Sequence, residues 1–293
     1  MKLIAVFGPT AVGKTGVAIA VAERLRERGE VPIAVNCDSI QVYRALELLS
    51  GAASEEERGR LEHRLLSIVD VREEFSAGRY AELAHGEIDA LVEQGRRPIV
   101  VGGTGLYLRA ALAELDLRPP VDPAIRRQVE REVAERGPEA LHDELDPELS
   151  GTVDPRDRKR IARLTELARA GIDPPTGAER LWTSGLRHPT LLAGIVIDRE
   201  ELGRRIDRRV EEMAAAGAAE EARRAAAAGA SRTARAALGF DEFLAGDLEA
   251  VKAAHRRYAR RQLTWMRRME EVTLIDRTGR DDAEVAAEIV SIL

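Results

Sequence analysis

The stretch Gly8-Pro9-Thr10-Ala11-Val12-Gly13-Lys14-Thr15 decides the fold. Its Gly-x-x-x-x-Gly-Lys-Thr spacing is that of a phosphate-binding loop, where glycines let backbone N–H groups approach phosphate oxygens. The flanks agree. Leu3 to Phe7 is a short apolar run with the character of a buried strand. Val17, Val21 and Leu25 then recur at helical spacing, with Ala18 and Ala22 beside them. A chance Gly-rich turn would lack this strand–loop–helix setting. The helix N-terminus favours an anion, Lys14 supplies charge, and the Thr15 hydroxyl is a candidate ligand for Mg²⁺. The loop predicts a phosphate-bearing ligand without saying what is attached to the phosphates.

Working outward, four more apolar runs end in chemically suggestive residues. Ile33 to Val35 leads into Asn36-Cys37-Asp38-Ser39, and Pro98 to Val101 into Gly102-Gly103-Thr104-Gly105. Leu191 to Ile197 ends in Asp198, and Val272 to Ile275 in Asp276. Continuous apolar strands separated by helical segments predict an α/β fold: a P-loop-type parallel sheet with helices on both faces. Ligands of such sheets bind beyond the carboxyl ends of the strands. Gly8, Asp38 and Thr104 all lie at such ends, so three motifs are expected to converge on one site.

The strand rhythm stops between Leu106 and Pro189. Asp122-Pro123 starts a helix with an apolar stripe at Ile125, Val129 and Val133. Leu141 to Leu149 is short and broken by Pro147. Arg158 to Ala170 is helical again, and Gly171-Ile172-Asp173-Pro174-Pro175 stops it. The expected organisation is a catalytic core of residues 1–115 and 190–293 with an all-helical insertion domain, 116–189. A second helical tract, Glu200 to Ala228, carries a packed face at Leu202, Ile206, Val210 and Met213.

Composition narrows the function. A chain of 293 residues that is 44% hydrophobic can bury one large domain, or a core plus an insertion. The net charge of −6 argues against indiscriminate nucleic-acid binding but leaves room for a local basic surface. Cys37 is the lone cysteine, which excludes an intramolecular disulfide, and the scattered histidines show no metal-ligand spacing. The N-terminus lacks the pattern of a signal peptide, and no run reaches about 18 apolar residues. A cytoplasmic protein without a membrane span is expected.

A nucleotide hydrolase normally has a second strand-end acid that holds Mg²⁺ near the γ-phosphate. Gly102-Gly103-Thr104-Gly105 offers none, which leaves Asp38 as either a Mg²⁺ residue or a general base. Ser39, Gln41 and Tyr43 beside it are hydrogen-bonding side chains of the kind that read a base edge. They tilt the reading toward a general base.

With these motifs in order, the chain resembles the bacterial tRNA dimethylallyltransferases, also called tRNA isopentenyltransferases. The resemblance runs nearly the whole length. It rests on GPTAVGKT at 8–15, DSIQVYR at 38–44, PIVVGGTGLYLRA at 98–110, RIDRRVEEM at 205–213, ALGFDEF at 237–243 and ARRQLTWMRR at 259–268. It implies transfer of a dimethylallyl group from dimethylallyl diphosphate to the exocyclic amine of the adenosine 3′ of the anticodon in tRNA. Mg²⁺ would be the cofactor, no ATP would be consumed, and the partners would be the donor and the anticodon stem-loop of tRNA, the enzyme being a monomer. By the same resemblance Asp38 is the catalytic base and Thr104 lines the site between donor and RNA. Gly8 to Thr15 and Arg209 hold the diphosphate, with Lys14 and Arg209 acting in catalysis and Thr15 on the metal. Asp38, Ser39, Ile40, Gln41 and Thr104 meet the extruded base and its surroundings. Arg126, Lys159, Arg160, Ile161, Ala162 and Arg163 of the insertion contact tRNA.

Three stretches depart from the family pattern. ALELLSGAAS at 45–54 replaces a Gly-Thr-Ala-Lys-Pro stretch, EHRLLS at 62–67 replaces Pro-His-His-Leu-Ile-Asp, and Pro155-Arg156-Asp157 replaces Pro-Asn-Asp. None removes an assigned catalytic group. Tyr258 and Trp265 have the helical spacing of one packed side and are expected in the core, Cys37 is expected as a small filler, and His63 is expected to make a structural hydrogen bond. Two rival functions differ in class. A small-molecule P-loop kinase would use a γ-phosphate donor, with Asp38 activating a hydroxyl. A non-catalytic RNA-binding protein would need no intact Asp38, Lys14, Thr15, Thr104 or Arg209. A prenyltransferase acting on free adenine nucleotides would have no use for the helical insertion.

Overall fold

A computed structural model describes residues 1–115, 117–173 and 185–293. It divides into two compact units, Met1–Leu115 with Leu181–Leu293, and Asp116–Arg180. The first opens with β1 (Leu3–Phe7), α1 (Lys14–Glu27), β2 (Pro32–Asn36), α2 (Glu47–Ser50), α3 (Glu55–Arg60) and β3 (His63–Arg64). It continues with α4 (Ala77–Glu93), β4 (Arg97–Gly102) and α5 (Gly105–Leu112). The second unit holds α6 (Pro123–Arg136), α7 (Pro138–His142), α8 (Pro147–Ser150) and α9 (Arg158–Arg169). The first unit then resumes with β5 (Thr190–Val196), α10 (Arg199–Ala215), α11 (Ala218–Ala227), α12 (Phe240–Ala245), α13 (Leu248–Met266), β6 (Val272–Asp276) and α14 (Asp282–Ser291).

The sheet is wholly parallel, in the order β3-β2-β4-β1-β5-β6. The expected runs form five of its strands. β1 and β2 are buried at every position, because helices cover both sheet faces and leave no polar side. On one face α1 and α14 lay Val17, Val21, Leu25, Val285 and Ile289 against Ile4, Val6, Ile99 and Ile275. Each such burial contributes roughly 1.5–3 kcal/mol. On the other face Tyr80 of α4 stacks on Tyr107 of α5, ring centroids 4.3 Å apart. The Tyr80 hydroxyl donates to the Asn36 carbonyl at 2.9 Å, fixing α4 to the end of β2. β3 was not expected: it is two residues long, too short to carry an apolar pattern. The tract expected from Glu200 to Ala228 is two helices, parted at Gly217, whose φ of 99° no helical residue adopts.

Register places the site. Phe7 lies opposite Gly102, and Asn36 opposite Val101. The chain therefore leaves the carboxyl ends of β2, β4 and β1 side by side, bringing Asp38, Thr104 and Gly8 to one edge.

In the second unit, the described elements are all helical. Asp122 accepts from the Ala124 amide at 2.7 Å and caps α6, with Pro123 in the first turn. Val129, Val133, Leu141, Val153 and Ile161 form its core. Pro174 and Pro175 of the expected stop lie outside the described residues. Among the described residues, no helix is long and apolar enough to cross a membrane.

Candidate active site

The loop 8–15 runs from β1 into α1. Gly13 precedes the helix at φ 89°, a conformation that costs other residues about 1–2 kcal/mol, and a β-carbon there would overlap the Arg277 guanidinium. Gly13 offers no side-chain cap, so the first N–H groups of α1 face outward for an anion. Val12 is fully buried and contributes only its backbone, while Ala11 sits at φ 64°. Thr15 is half-buried in the first turn of α1. The Lys14 ammonium donates to the carbonyls of Gly8 at 3.1 Å and Pro9 at 3.0 Å.

Burial, then the charge of Arg209 from α10, pulls the Lys14 pKa down to about 8, with Asp38 acting the other way. Burial also lowers the pKa of Arg209, and Asp38 opposes that shift. Arg209 lies so close to Gly51 that a β-carbon there would overlap it. Two cations are thus held together at the loop beside one carboxylate. Such a pair repels itself, and a bound diphosphate would relieve it.

Asp38 follows β2 and is held from both sides. Its Oδ1 accepts the Ile40 amide at 3.0 Å, and its Oδ2 accepts the Thr104 hydroxyl at 3.4 Å. Its own amide donates to Asn36 Oδ1 at 3.0 Å. Thr104 Oγ1 also accepts the Ser39 amide at 3.2 Å and lies 3.3 Å from the Tyr258 hydroxyl. Cys37 beneath is buried; burial, then the Asp38 charge, pushes its thiol pKa up, so it stays neutral as a filler.

Several expected side chains sit elsewhere. Tyr43 is not at a base-reading surface: it is 1% exposed, and its hydroxyl pairs with Thr233 Oγ1 at 2.6 Å. Gln41 donates to the Gly51 carbonyl at 3.2 Å, which bridges the site to the α2 segment. His63 makes its structural bond, Nδ1 lying 2.6 Å from the Leu61 carbonyl. Tyr258 and Trp265, expected in the core, are both half-buried at the site. Trp265 covers Gly105, and with Arg257, Arg260, Arg261, Thr264 and Arg268 it lines an open cleft of about 440 Å³. Their spacing along α13 is that of one helix face, which does not say whether the face meets core or site.

Sequence reasoning missed three supports. Gln262 accepts the Thr10 amide at 2.8 Å and donates to the Gly103 carbonyl at 2.7 Å. Arg277 donates to the Val12 carbonyl at 2.5 Å and pairs with Asp282 at 3.1 Å, bracing the loop from behind. Asn36 orders the Asp38 turn, its amide also reaching the Leu65 carbonyl at 2.9 Å. Their only sequence signal was a polar side chain within or just beyond an otherwise packed element.

In the second unit, Lys159 and Arg160 are exposed, with Arg160 3.5 Å from Asp157. Ile161 is buried and Ala162 packs against the same core, so their side chains are committed to packing. Arg163, expected to contact tRNA, bonds Glu166 at 3.1 Å and the Pro119 carbonyl at 2.7 Å. Arg126 approaches the same buried Glu166 at 3.6 Å.

Comparison with known proteins follows the same lines. The model of the IPP transferase family matches residues 41–269, beginning after the phosphate loop. A protein of Anaeromyxobacter dehalogenans (strain 2CP-C) named tRNA dimethylallyltransferase is 41% identical over 288 residues, covering 94% of this chain and 95% of its own. One of the same name from Thermobifida fusca (strain YX) is 40% identical over 280 residues, covering 91% and 87%. The crystal structure of the full-length tRNA isopentenylpyrophosphate transferase from Bacillus halodurans is 32% identical with a TM-score of 0.71, covering 99% of this chain and 95% of that one. A eukaryotic dimethylallyltransferase acting on tRNA, 24% identical, shares the fold at a TM-score of 0.74 over 94% of this chain and 73% of its own. The chain belongs to the IPP transferase family.

Proposed function

We propose that this chain transfers a dimethylallyl group from dimethylallyl diphosphate to the exocyclic amine of the adenosine 3′ of the anticodon in tRNA, releasing diphosphate. One observation carries the reading. A phosphate loop reinforced by a second cation, Arg209, lies beside a carboxylate fixed at both oxygens, Asp38. The kinase alternative, with Asp38 activating a hydroxyl, would need a second strand-end acid for its metal. β4 ends without one, Asp198 is spent capping α10 through the Glu200 and Glu201 amides, and Asp276 accepts from Thr278.

The chemistry follows from those positions. The carbon–oxygen bond of the donor breaks as the amine nitrogen attacks its allylic carbon. The electron pair leaves with the diphosphate, where Lys14, Arg209 and the N–H groups of α1 stabilise the charge. The amine proton goes to Asp38, whose Thr104 and Ile40 bonds occupy one lone pair on each oxygen and leave the others to accept it. Among the described residues, no group of three acidic, His or Cys side chains can hold a metal alone. A single hydroxyl beside bound phosphates suits Mg²⁺, which takes few protein oxygens and completes its shell with phosphates and water. Thr15 would be its protein ligand, and the ion would neutralise the diphosphate.

For tRNA, the arginines of the α13 cleft suit backbone phosphates, and the Trp265 ring suits a stacked base. In the second unit, Lys159 and Arg160 are the cations we assign to RNA, since Arg126 and Arg163 are held on Glu166. Alanine at Lys159 and Arg160 together is expected to weaken tRNA binding and spare donor binding. The salt dependence should flatten by roughly one unit of slope for each phosphate that is no longer neutralised. An unchanged slope would return both residues to a solvated surface. We place the enzyme in the cytoplasm, together with its tRNA substrate, and take it as a monomer.

The function is tested by incubation with unmodified tRNA, Mg²⁺ and dimethylallyl diphosphate without ATP, followed by nucleoside mass analysis. Prenylated adenosine and free diphosphate are expected. Transfer that needs ATP, or phosphate appearing on an acceptor, would overturn the reading.

A further inference from the structure

Gln262 lies on α13, far in sequence from the loop and the turn it joins, and is 4% exposed. Its two polar atoms are used in opposite senses. The carbonyl oxygen accepts from Thr10 in the phosphate loop, and the amide nitrogen donates to Gly103, the residue before Thr104. A β-carbon on Gly103 would overlap that nitrogen, so the glycine makes room for it. Thr104 in turn holds Asp38. One buried side chain therefore ties the loop that takes the leaving group to the turn that holds the base.

We propose that Gln262 is a positioning residue for transfer: it sets the spacing between the diphosphate cradle and the Thr104–Asp38 pair. The proposal rests on the prenyl-transfer reading. The reacting carbon must pass from an oxygen held at the loop to a nitrogen held at Asp38. A displacement of about 1 Å between such groups can cost 10²-fold in rate. The place calls for a side chain that accepts on one side and donates on the other, which an amide does at every pH.

Two variants test it. Gln262→Met keeps the volume and removes both bonds. Its single-turnover rate at saturating donor and tRNA is expected to fall ~10–100-fold, with each substrate alone still binding within about threefold of wild type. A purely structural role would lower thermal stability and leave the saturating rate intact. Gln262→Glu sets a carboxylate oxygen against the Gly103 carbonyl. A buried carboxyl so placed takes up its proton above the usual Glu range, and the acid form restores the donor. Its rate, taken as a ratio to wild type, should therefore rise as pH falls from about 8 towards about 6. This ratio also decides the matter if Gln262→Met does not fold. A wild-type saturating rate in Gln262→Met, or a flat ratio in Gln262→Glu, overturns the proposal alone. Absence of transfer by the wild-type enzyme overturns the prenyl-transfer reading and the proposal with it.

Discussion

Asp38→Ala is expected to lower single-turnover transfer by ~10²–10⁴-fold, the usual contribution of a positioned acid–base group, with donor and tRNA binding largely kept. The adenine amine is a poor nucleophile because its lone pair is delocalised into the ring. A carboxylate bonded to it directs it at the allylic carbon and takes its proton as the new bond forms. Asp38 is built for that task, each oxygen held by one donor, the Ile40 amide and the Thr104 hydroxyl. Asp38→Asn separates orientation from proton transfer. An asparagine oxygen could still accept from Ile40, but the side chain could not accept the amine proton, so this variant should remain defective. Near wild-type rates in both variants, with both substrates saturating, would remove Asp38 as the base. A defect confined to binding would instead give it a role in RNA or metal contact.

Arg209→Ala should cost ~10²–10³-fold in the same step, as removal of one charge-stabilising donor to a developing anion does. Arg209 also acts on its neighbour, since its charge lowers the Lys14 pKa. The diphosphate needs Lys14 as the ammonium, which in the free enzyme prevails below about 8. Donor affinity in the wild type should therefore decline as pH rises through about 8. Without the Arg209 charge the ammonium persists to higher pH, so this alkaline decline should move upward even as overall affinity falls. Titration of donor binding against pH in the two proteins checks both points. An alkaline limb that does not move would mean the two cations are not coupled, and a rate within a few-fold of wild type would remove Arg209 from the diphosphate site.

The departures from the family pattern at 45–54 and 62–67 take on a physical meaning in the fold. Glu221 of α11 accepts the Leu48 and Leu49 amides at 3.0 and 2.8 Å, and Ser67 donates to Glu47 at 3.1 Å. These bonds order the α2 segment against which Arg209 rests. The altered stretch thus supports the Arg209 guanidinium, and none of its side chains replaces it.

The amino-acid sequence by itself determined five of the six strands, the phosphate loop and the strand-end position of Asp38. These depend on contiguous residues: apolar runs long enough to be buried strands, and a loop whose function rests on its own backbone and the helix that follows. Partnerships between distant segments were decided only in the tertiary structure. Tyr258 and Gln262 reach Thr104 and Thr10 because α13 packs over the β4 turn, and Arg277 reaches Val12 because β6 ends beside the loop. Arg163 shows the same limit on a single helix. Its spacing put it with Lys159 and Arg160, but a buried Glu166 and the Pro119 carbonyl took its guanidinium inward. Periodicity specifies the side of a helix on which a residue lies. What stands opposite that side is set by how the helix packs, and in the folded chain a buried charge goes to the partner that satisfies it.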